Sequence, residues 1–137
     1  MLFRSAIKLD PALAIAYGNR GFLYYRKHDA AHAIEDYTTQ IKLVPDVLAY
    51  INRGNAYRDS EQLDLAAADY AEVIRLSPTD ARGWRNRALI RMYQGDNKGG
   101  IADYDKAVQY DRPTCSPGTT AARPRCDSVT RRALSRI

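Results

Sequence analysis

The chain has 137 residues, 45% of them hydrophobic, and a formal net charge of +5. That length fits one domain, and no apolar run approaches the ~18 residues of a membrane span. The charge is unevenly placed: residues 1–111 hold 15 Lys and Arg against 15 Asp and Glu, whereas residues 112–137 hold six Arg and a single acid, Asp127. A neutral body argues against a nucleic-acid surface, and the basic end reads as a solvated tail.

The first residues, Met1-Leu2-Phe3-Arg4-Ser5-Ala6-Ile7-Lys8, lack the ~7–15-residue apolar stretch of a secretory leader, which favours the cytoplasm. Six helices are predicted near residues 13–27, 30–43, 47–60, 63–76, 80–94 and 97–110. Ile34, Tyr37 and Ile41 recur at i, i+3 and i+7, and Ile101, Tyr104 and Val108 repeat the pattern, which is the spacing of one helix face. Breaks fall at Lys27-His28-Asp29, Ser60-Glu61-Gln62 and Gln94-Gly95-Asp96. Such short turns make the paired helices antiparallel. Pro45 and Pro78 stop the helices before them, and Asp46 and Asp80 are expected to cap the helices after them.

Three phrases recur in step. Pro11, Pro45 and Pro78 are 34 and 33 residues apart, each closing an Ile-Lys-Leu or Ile-Arg-Leu phrase. Asn19-Arg20-Gly21, Asn52-Arg53-Gly54 and Asn86-Arg87-Ala88 keep the same interval, as do Asp36-Tyr37, Asp69-Tyr70 and Asp103-Tyr104. A repeat of this length implies helix pairs stacked as a solenoid. Gly21, Gly54 and Ala88 are expected to meet Ala33, Ala66 and Gly100, since helix axes approach to ~8 Å only over small residues. Tyr37, Tyr70 and Tyr104 then fill the space alongside, with their hydroxyls at the rim; the chain has ten Tyr against two Phe.

The in-phase copies resemble the tetratricopeptide repeat (TPR) family over Ala14–Asp111. Tyr17, Tyr50 and Trp84 take the family's aromatic fourth position, and Gly21, Gly54 and Ala88 its small eighth. Ala33, Ala66 and Gly100 take the twentieth, and Tyr37, Tyr70 and Tyr104 the twenty-fourth. Departures are Arg91 in place of a tyrosine, Gln40 and Val73 in place of an alanine, and Gly99-Gly100 at a helix start, which costs about 1 kcal/mol per glycine. The third unit is therefore expected to be the softest. The resemblance implies an all-α fold: an α-solenoid, a right-handed superhelix of antiparallel helix pairs with a concave groove lined by the first helix of each pair. The organisation expected is a partial repeat at 1–13, repeats at 14–46, 47–80 and 81–112, and a basic tail at 113–137. The partial repeat suggests a piece of a longer array. The tail reads as a linker over Thr114–Cys126, followed by Asp127–Ile137, for which two readings stand: a short helix capping the third repeat, or a disordered end.

Catalytic and metal chemistry find no support. His28 and His32 flank a turn, and Gly99-Gly100 lacks the Lys-Ser/Thr of a phosphate loop. Cys115 and Cys126 are read as free thiols and provide too few ligands for zinc. No cofactor is expected. Asp36, Asp69 and Asp103 are read first as surface residues. Their recurrence with Arg20, Arg53 and Arg87 also suggests pairing across the two helices of each unit, in the two-pronged guanidinium–carboxylate geometry.

The inward-facing positions of the family carry over to named residues here. Asn19, Asn52 and Asn86 form a ladder of amides, each with a donor and an acceptor for an extended peptide backbone. Asn55 adds a fourth. Arg58, Arg82 and Arg85 make one end basic, and Phe22 and Tyr25 make the other aromatic. The pattern is similar in part to the carboxylate clamp of chaperone-tail-binding TPR domains. Asn52 and Arg82 match it, whereas Gly18, Phe22 and Asn86 stand where a lysine, an asparagine and an arginine belong. The function expected is a non-catalytic scaffold for a protein or peptide, acidic or with a free terminal carboxylate. The competing readings are a self-associating array and a recruitment module of a larger protein.

Overall fold

A computed structural model describes residues 11–111. Six helices follow in order: α1 Pro11–Arg26, α2 Ala30–Leu43, α3 Val47–Asp59, α4 Leu63–Leu76, α5 Ala81–Tyr93 and α6 Asn97–Asp111. The partial repeat before Pro11 and the tail beyond residue 112, with both cysteines, lie outside the described residues. Pro11 stands at the start of α1. A first-turn proline loses nothing, because its missing N–H would have had no helical partner.

Each helix packs on its neighbours in sequence, and the first helices also touch one another, α1 with α3 and α3 with α5. No contact of that extent joins α2 to α4 or α4 to α6. The first helices are thus drawn together into an inner wall, and the second helices splay outside it. This is an all-α solenoid of stacked helix pairs.

The turns inside the three units share one geometry. His28 and Glu61 have φ of 63° and Gly95 has φ of 88°, all left-handed. The following N–H reaches back five residues each time: Asp29 N to Tyr24 O at 2.9 Å, Gln62 N to Tyr57 O at 2.8 Å, and Asp96 N to Arg91 O at 2.8 Å. These bonds satisfy end carbonyls that the helix itself cannot. The helix starts differ more. Asp29 accepts from His32 N at 3.2 Å, Asp80 from Arg82 N at 3.0 Å, and Asp96 from Gly99 N at 2.9 Å. Asp46, expected to cap α3, makes no side-chain cap bond. Gly99 also has a local reason: a Cβ there would strike the Asp96 carboxylate. The glycine that weakens α6 therefore admits the cap that starts it.

The core lies between the helices of each pair and between successive pairs. Ala33, Tyr37, Ala66, Tyr70, Val73, Ala88 and Ile90 are fully buried. Gly21 and Gly54 have the tyrosine rings as their closest neighbours. A Cβ would stand 3.1 Å from Tyr37 Cε1 in the first unit and 2.7 Å from Tyr70 Cε1 in the second. In the third unit Gly100 does approach Ala88, whose carbonyl would lie 3.3 Å from its Cβ. The hydroxyls do not all reach the rim. Tyr70 donates to Asn55 Oδ1 at 2.6 Å, but Tyr37 Oη is buried with no partner. Burial pushes the Tyr37 phenol up to about 12. Ile101 and Val108 are 61% and 59% exposed. Their counterparts on α2 and α4 lie under a following first helix, as where a Cβ on Gly83 would meet Ile74 Cγ1 at 3.1 Å.

Ion pairs clamp every unit. Arg20 holds Asp36 through Nε and Nη2, both at 2.7 Å. Arg53 holds Asp69 at 2.8 and 2.6 Å, and Arg87 holds Asp103 at 2.8 and 2.8 Å. The three carboxylates are buried, not at the surface. Each guanidinium also lies over a ring one helical turn back: Arg20 over Tyr17 at 5.4 Å, Arg53 over Tyr50 at 5.6 Å, Arg87 over Trp84 at 5.2 Å. Arg53 adds a bond to Thr38 Oγ1 of the preceding unit at 3.2 Å. Arg91, the residue off the family pattern, lies 3.1 Å from Asp103 Oδ2 and gives that carboxylate a second cation.

Removing the Arg53 guanidinium strands a buried carboxylate, so Arg53→Met is expected to cost about 3 kcal/mol of stability in urea unfolding. Arg87→Met is expected to cost distinctly less, because Arg91 remains beside Asp103; equal losses would contradict the shared clamp. Tyr37→Phe removes a hydroxyl without a partner, so stability at neutral pH is expected to hold or rise by up to about 1 kcal/mol. The phenol's ionisation is raised in the folded state, so its contribution is complete below the ordinary value of 10.0 and fades as pH climbs toward about 12. Tyr37→Phe should accordingly flatten the alkaline loss of stability between those values.

Candidate functional site: the inner wall

The clamp decides which side chain faces the wall. Successive residues on a helix point about 100° apart. In Asn19-Arg20-Gly21 the glycine meets the second helix and the arginine lies on Asp36 at the edge. The asparagine is therefore turned away from the second helix, onto the inner face. The same holds for Asn52 and Asn86. Asn19 is exposed, and Asn52 and Asn86 are partly so. None of the three makes a side-chain hydrogen bond within the described residues. Asn55 differs: its Oδ1 is the acceptor for the Tyr70 hydroxyl, so half of its amide is already engaged in the fold.

Three of the predicted residues come together. Asn19, Phe22 and Asn52 line one cavity of about 410 Å³ between α1 and α3, with Ile15, Gly18, Gln40, Asp46 and Leu48. Ile15, Phe22 and Leu48 are half exposed and form its apolar rim. Gln40 reaches in from α2 beneath Gly18, where a Cβ would stand 2.7 Å from Gln40 Oε1. That oxygen is buried and has no partner. Ile15, Gly18 and Leu48 occupy inward positions of the family pattern, so the sequence held a signal for them. For Gln40 the only signal was that it departs from alanine.

Tyr25 and Arg58 meet elsewhere, around Asp59. The Tyr25 hydroxyl donates to Asp59 Oδ2 at 2.6 Å and Arg58 Nε lies 3.3 Å from Oδ1. Burial, then the bond to Asp59, raises the Tyr25 phenol above its ordinary range. Arg58 and Asp59, with Glu61, Leu63 and Tyr93, line a cavity of about 540 Å³. Two acids face Arg58 there, so it adds no net positive field. At the α5 end, Arg82 is tied to Asp80 through Nε at 3.0 Å and Nη2 at 2.7 Å. That pairing holds the Asp80 carboxyl below its usual range, against the opposing effect of burial. Among the described residues Arg85 has no ion pair; its charge acts on Asp80 only at longer range. Of the three arginines expected to make the groove basic, Arg85 alone keeps its guanidinium free.

Comparison with known proteins fits this geometry. A family model described as TPR repeat matches residues 54–95. The chain is a tetratricopeptide-repeat protein. DnaJ homolog subfamily C member 7 of Mus musculus is 34% identical over 117 residues, which covers 81% of this chain and 23% of that protein. The TPR chain thus spans about a quarter of the length of that relative. Among solved structures, the first TPR of Spaghetti (RPAP3) bound to HSP90 peptide SRMEEVD superposes with a TM-score of 0.72 at 19% identity, over 94% of this chain and 98% of that one. The TPR2AB domain of yeast Sti1 in complex with pHSP90 gives 0.75 at 23% identity, over 93% and 48%. At such identities the likeness is one of fold. Among the described residues no group of His, Cys, Asp and Glu could hold a metal ion, and no helix is long and apolar enough to cross a membrane.

Asn55 and Tyr70 are expected to act as one unit. Asn55→Ala removes the acceptor of a buried hydroxyl and should lower stability by about 1–2 kcal/mol. Tyr70→Phe in that background should then cost much less than it does alone. Additive losses in thermal unfolding would show that the bond carries no weight.

Proposed function

We propose that this TPR array is a non-catalytic interaction scaffold whose inner wall takes an extended peptide segment. The observation that carries this reading is the set of three amides, Asn19, Asn52 and Asn86, one per unit, turned onto the wall with no intramolecular partner. Each can donate and accept, so the row grips a backbone without reading its side chains. The helices are pre-stacked, and the receptor loses little order on binding. Support also comes from neighbours of the same fold that hold HSP90 segments. The clamp positions at Gly18, Phe22 and Asn86 depart from those of chaperone-tail binders, so the ligand proposed is defined by chemistry: an extended segment with an acidic group beside Arg85. Phe22 belongs to its opposite end, whereas Tyr25, Arg58, Arg82 and Asn55 are engaged in the fold. The cytoplasm suits such a scaffold. A second reading is self-association of the array through the exposed Ile101 and Val108 of α6, which concentration-dependent mass in ultracentrifugation would reveal.

The test uses two fluorescent peptides, SRMEEVD and its uncharged-end isostere SRMQQVN with an amidated terminus. The triple replacement of Asn19, Asn52 and Asn86 by Ala is expected to weaken both; unchanged binding would overturn the groove. Arg85→Ala is expected to weaken the acidic peptide about fivefold and the isostere by less than twofold, a difference of about 0.5–1 kcal/mol. Asp80→Ser keeps a capping oxygen and releases Arg82, so it should tighten the acidic peptide. Equal effects on both peptides would remove the electrostatic role.

A further inference from the structure

The cavity between α1 and α3 has a chemistry opposite to that of the Arg85 end. Its rim is aliphatic and aromatic: Ile15, Phe22 and Leu48. Its one charged liner is Asp46, which makes no side-chain bond at the start of α3 although it stands at the capping position, and which feels the Arg82 guanidinium only at longer range. A carboxylate entering here would meet another carboxylate. Below the rim lies Gln40, whose buried Oε1 finds no donor. Polar atoms held inside a protein are nearly always paired, because an unpaired acceptor loses its water and gains nothing in return. Val73, the counterpart of Gln40 in the second unit, is fully buried and apolar. The glutamine is therefore not required by the repeat. Gly18 makes its position tenable, since any side chain there would collide with the amide.

Resting on the groove reading, we infer that this cavity is a specificity subsite for one apolar side chain of the bound segment, with Gln40 accepting that residue's backbone N–H. The amide turns from its buried position toward the cavity, and the ligand supplies the donor that the fold does not. Asp46 excludes acidic residues from the same place. The subsite and Arg85 together define a spacing. Neighbouring helix axes lie about 8–10 Å apart, and the cavity sits one and a half helices from α5. At about 3.3 Å per extended residue, the apolar residue falls about four or five positions from the acid. The occupant is thus a segment with an aliphatic residue at one end and a carboxylate at the other, not a uniformly acidic tail.

The probe is an acetylated and amidated ten-residue Gly/Ser peptide that carries one Leu and a Glu–Glu pair five residues away. It is made in both sequence orders, and the tighter order is carried forward. Wild-type protein is expected to bind it about fivefold more tightly than the version with Ala in place of Leu, and more tightly still than the version with Glu there. Leu48→Ser lies on the exposed rim and leaves the core intact. It should reduce the Leu-over-Ala preference to less than twofold while leaving the Arg85 dependence unchanged. Gln40→Met should raise the melting temperature, because the unpaired acceptor is gone, and weaken the Leu peptide about threefold. N-methylation at the Leu should cost about the same in wild type and nothing further in Gln40→Met. A Leu preference that survives Leu48→Ser, or an N-methyl penalty that survives Gln40→Met, overturns the subsite even where the three asparagines still govern binding. Failure of the Leu peptide and of SRMEEVD to bind wild type overturns the groove and the subsite together.

Discussion

The guanidinium–carboxylate clamp inside each helix pair is the constraint on which the rest of this structure depends. A buried carboxylate is costly unless it is met by charge and by hydrogen bonds. Asp36, Asp69 and Asp103 are met by both, through two parallel bonds to one arginine. The bond pair is planar and directional, so it sets the roll of the first helix against the second. Hydrophobic contact between Gly54 and Tyr70 would tolerate some rotation of α3; a forked bond would not. The aromatic face under each arginine limits it from the other side. Exposure grades the clamps: the arginine side chain is 59% exposed in the first unit, 17% in the second and 20% in the third. Screening by water makes the outermost clamp the weakest and the central one the strictest.

From that roll follows the inner wall. Asparagine precedes the clamping arginine in each unit, so the same bond that fixes the helix delivers the amide. The wall's field follows from pairing rather than from counting. Arg58, Arg82 and Arg85 are three cations by composition, yet Asp59 holds the first and Asp80 the second. What remains, among the described residues, is one guanidinium without an ion pair, Arg85 on α5, and one carboxylate without a cap bond, Asp46, before α3. The groove is polar along its length in the sense that its two ends differ in kind.

Much of the fold was legible in the sequence, and for a physical reason. A period of 33–34 residues, with proline and turn residues in phase, leaves few ways to bury the apolar faces, and the six helices end within two residues of where the pattern placed them. The pairing of arginine with aspartate was legible from recurrence, but the burial of the carboxylates was not, since a charge reads as exposed until its partner is known. Asp46 and Asp80 look alike in sequence, yet only Asp80 caps its helix. Tyr37 and Tyr70 occupy equivalent positions and differ only in whether an asparagine stands opposite; Phe22 holds that place in the first unit. Periodicity names the face a residue occupies. It does not name the polar atom that will find, or fail to find, a partner.

Departures from the repeat are therefore where this chain's own chemistry is written, and they divide by whether the fold compensates them. Arg91 replaces an aromatic and is absorbed, because it joins the clamp on Asp103. Gly99 weakens a helix start and is absorbed, because it admits the Asp96 cap. Gly18 and Gln40 are not absorbed. One leaves an opening in the wall, and the other places an unpaired acceptor beneath it. Neither improves the stability of the helix pair, and a repeat with alanine in place of Gln40 would pack without the cost. On the proposed reading, a defect that the described fold does not mend, lying on the inner wall, finds its compensation in the bound segment. That distinction, rather than the charge of the groove, is what separates this array from a generic stack of helices.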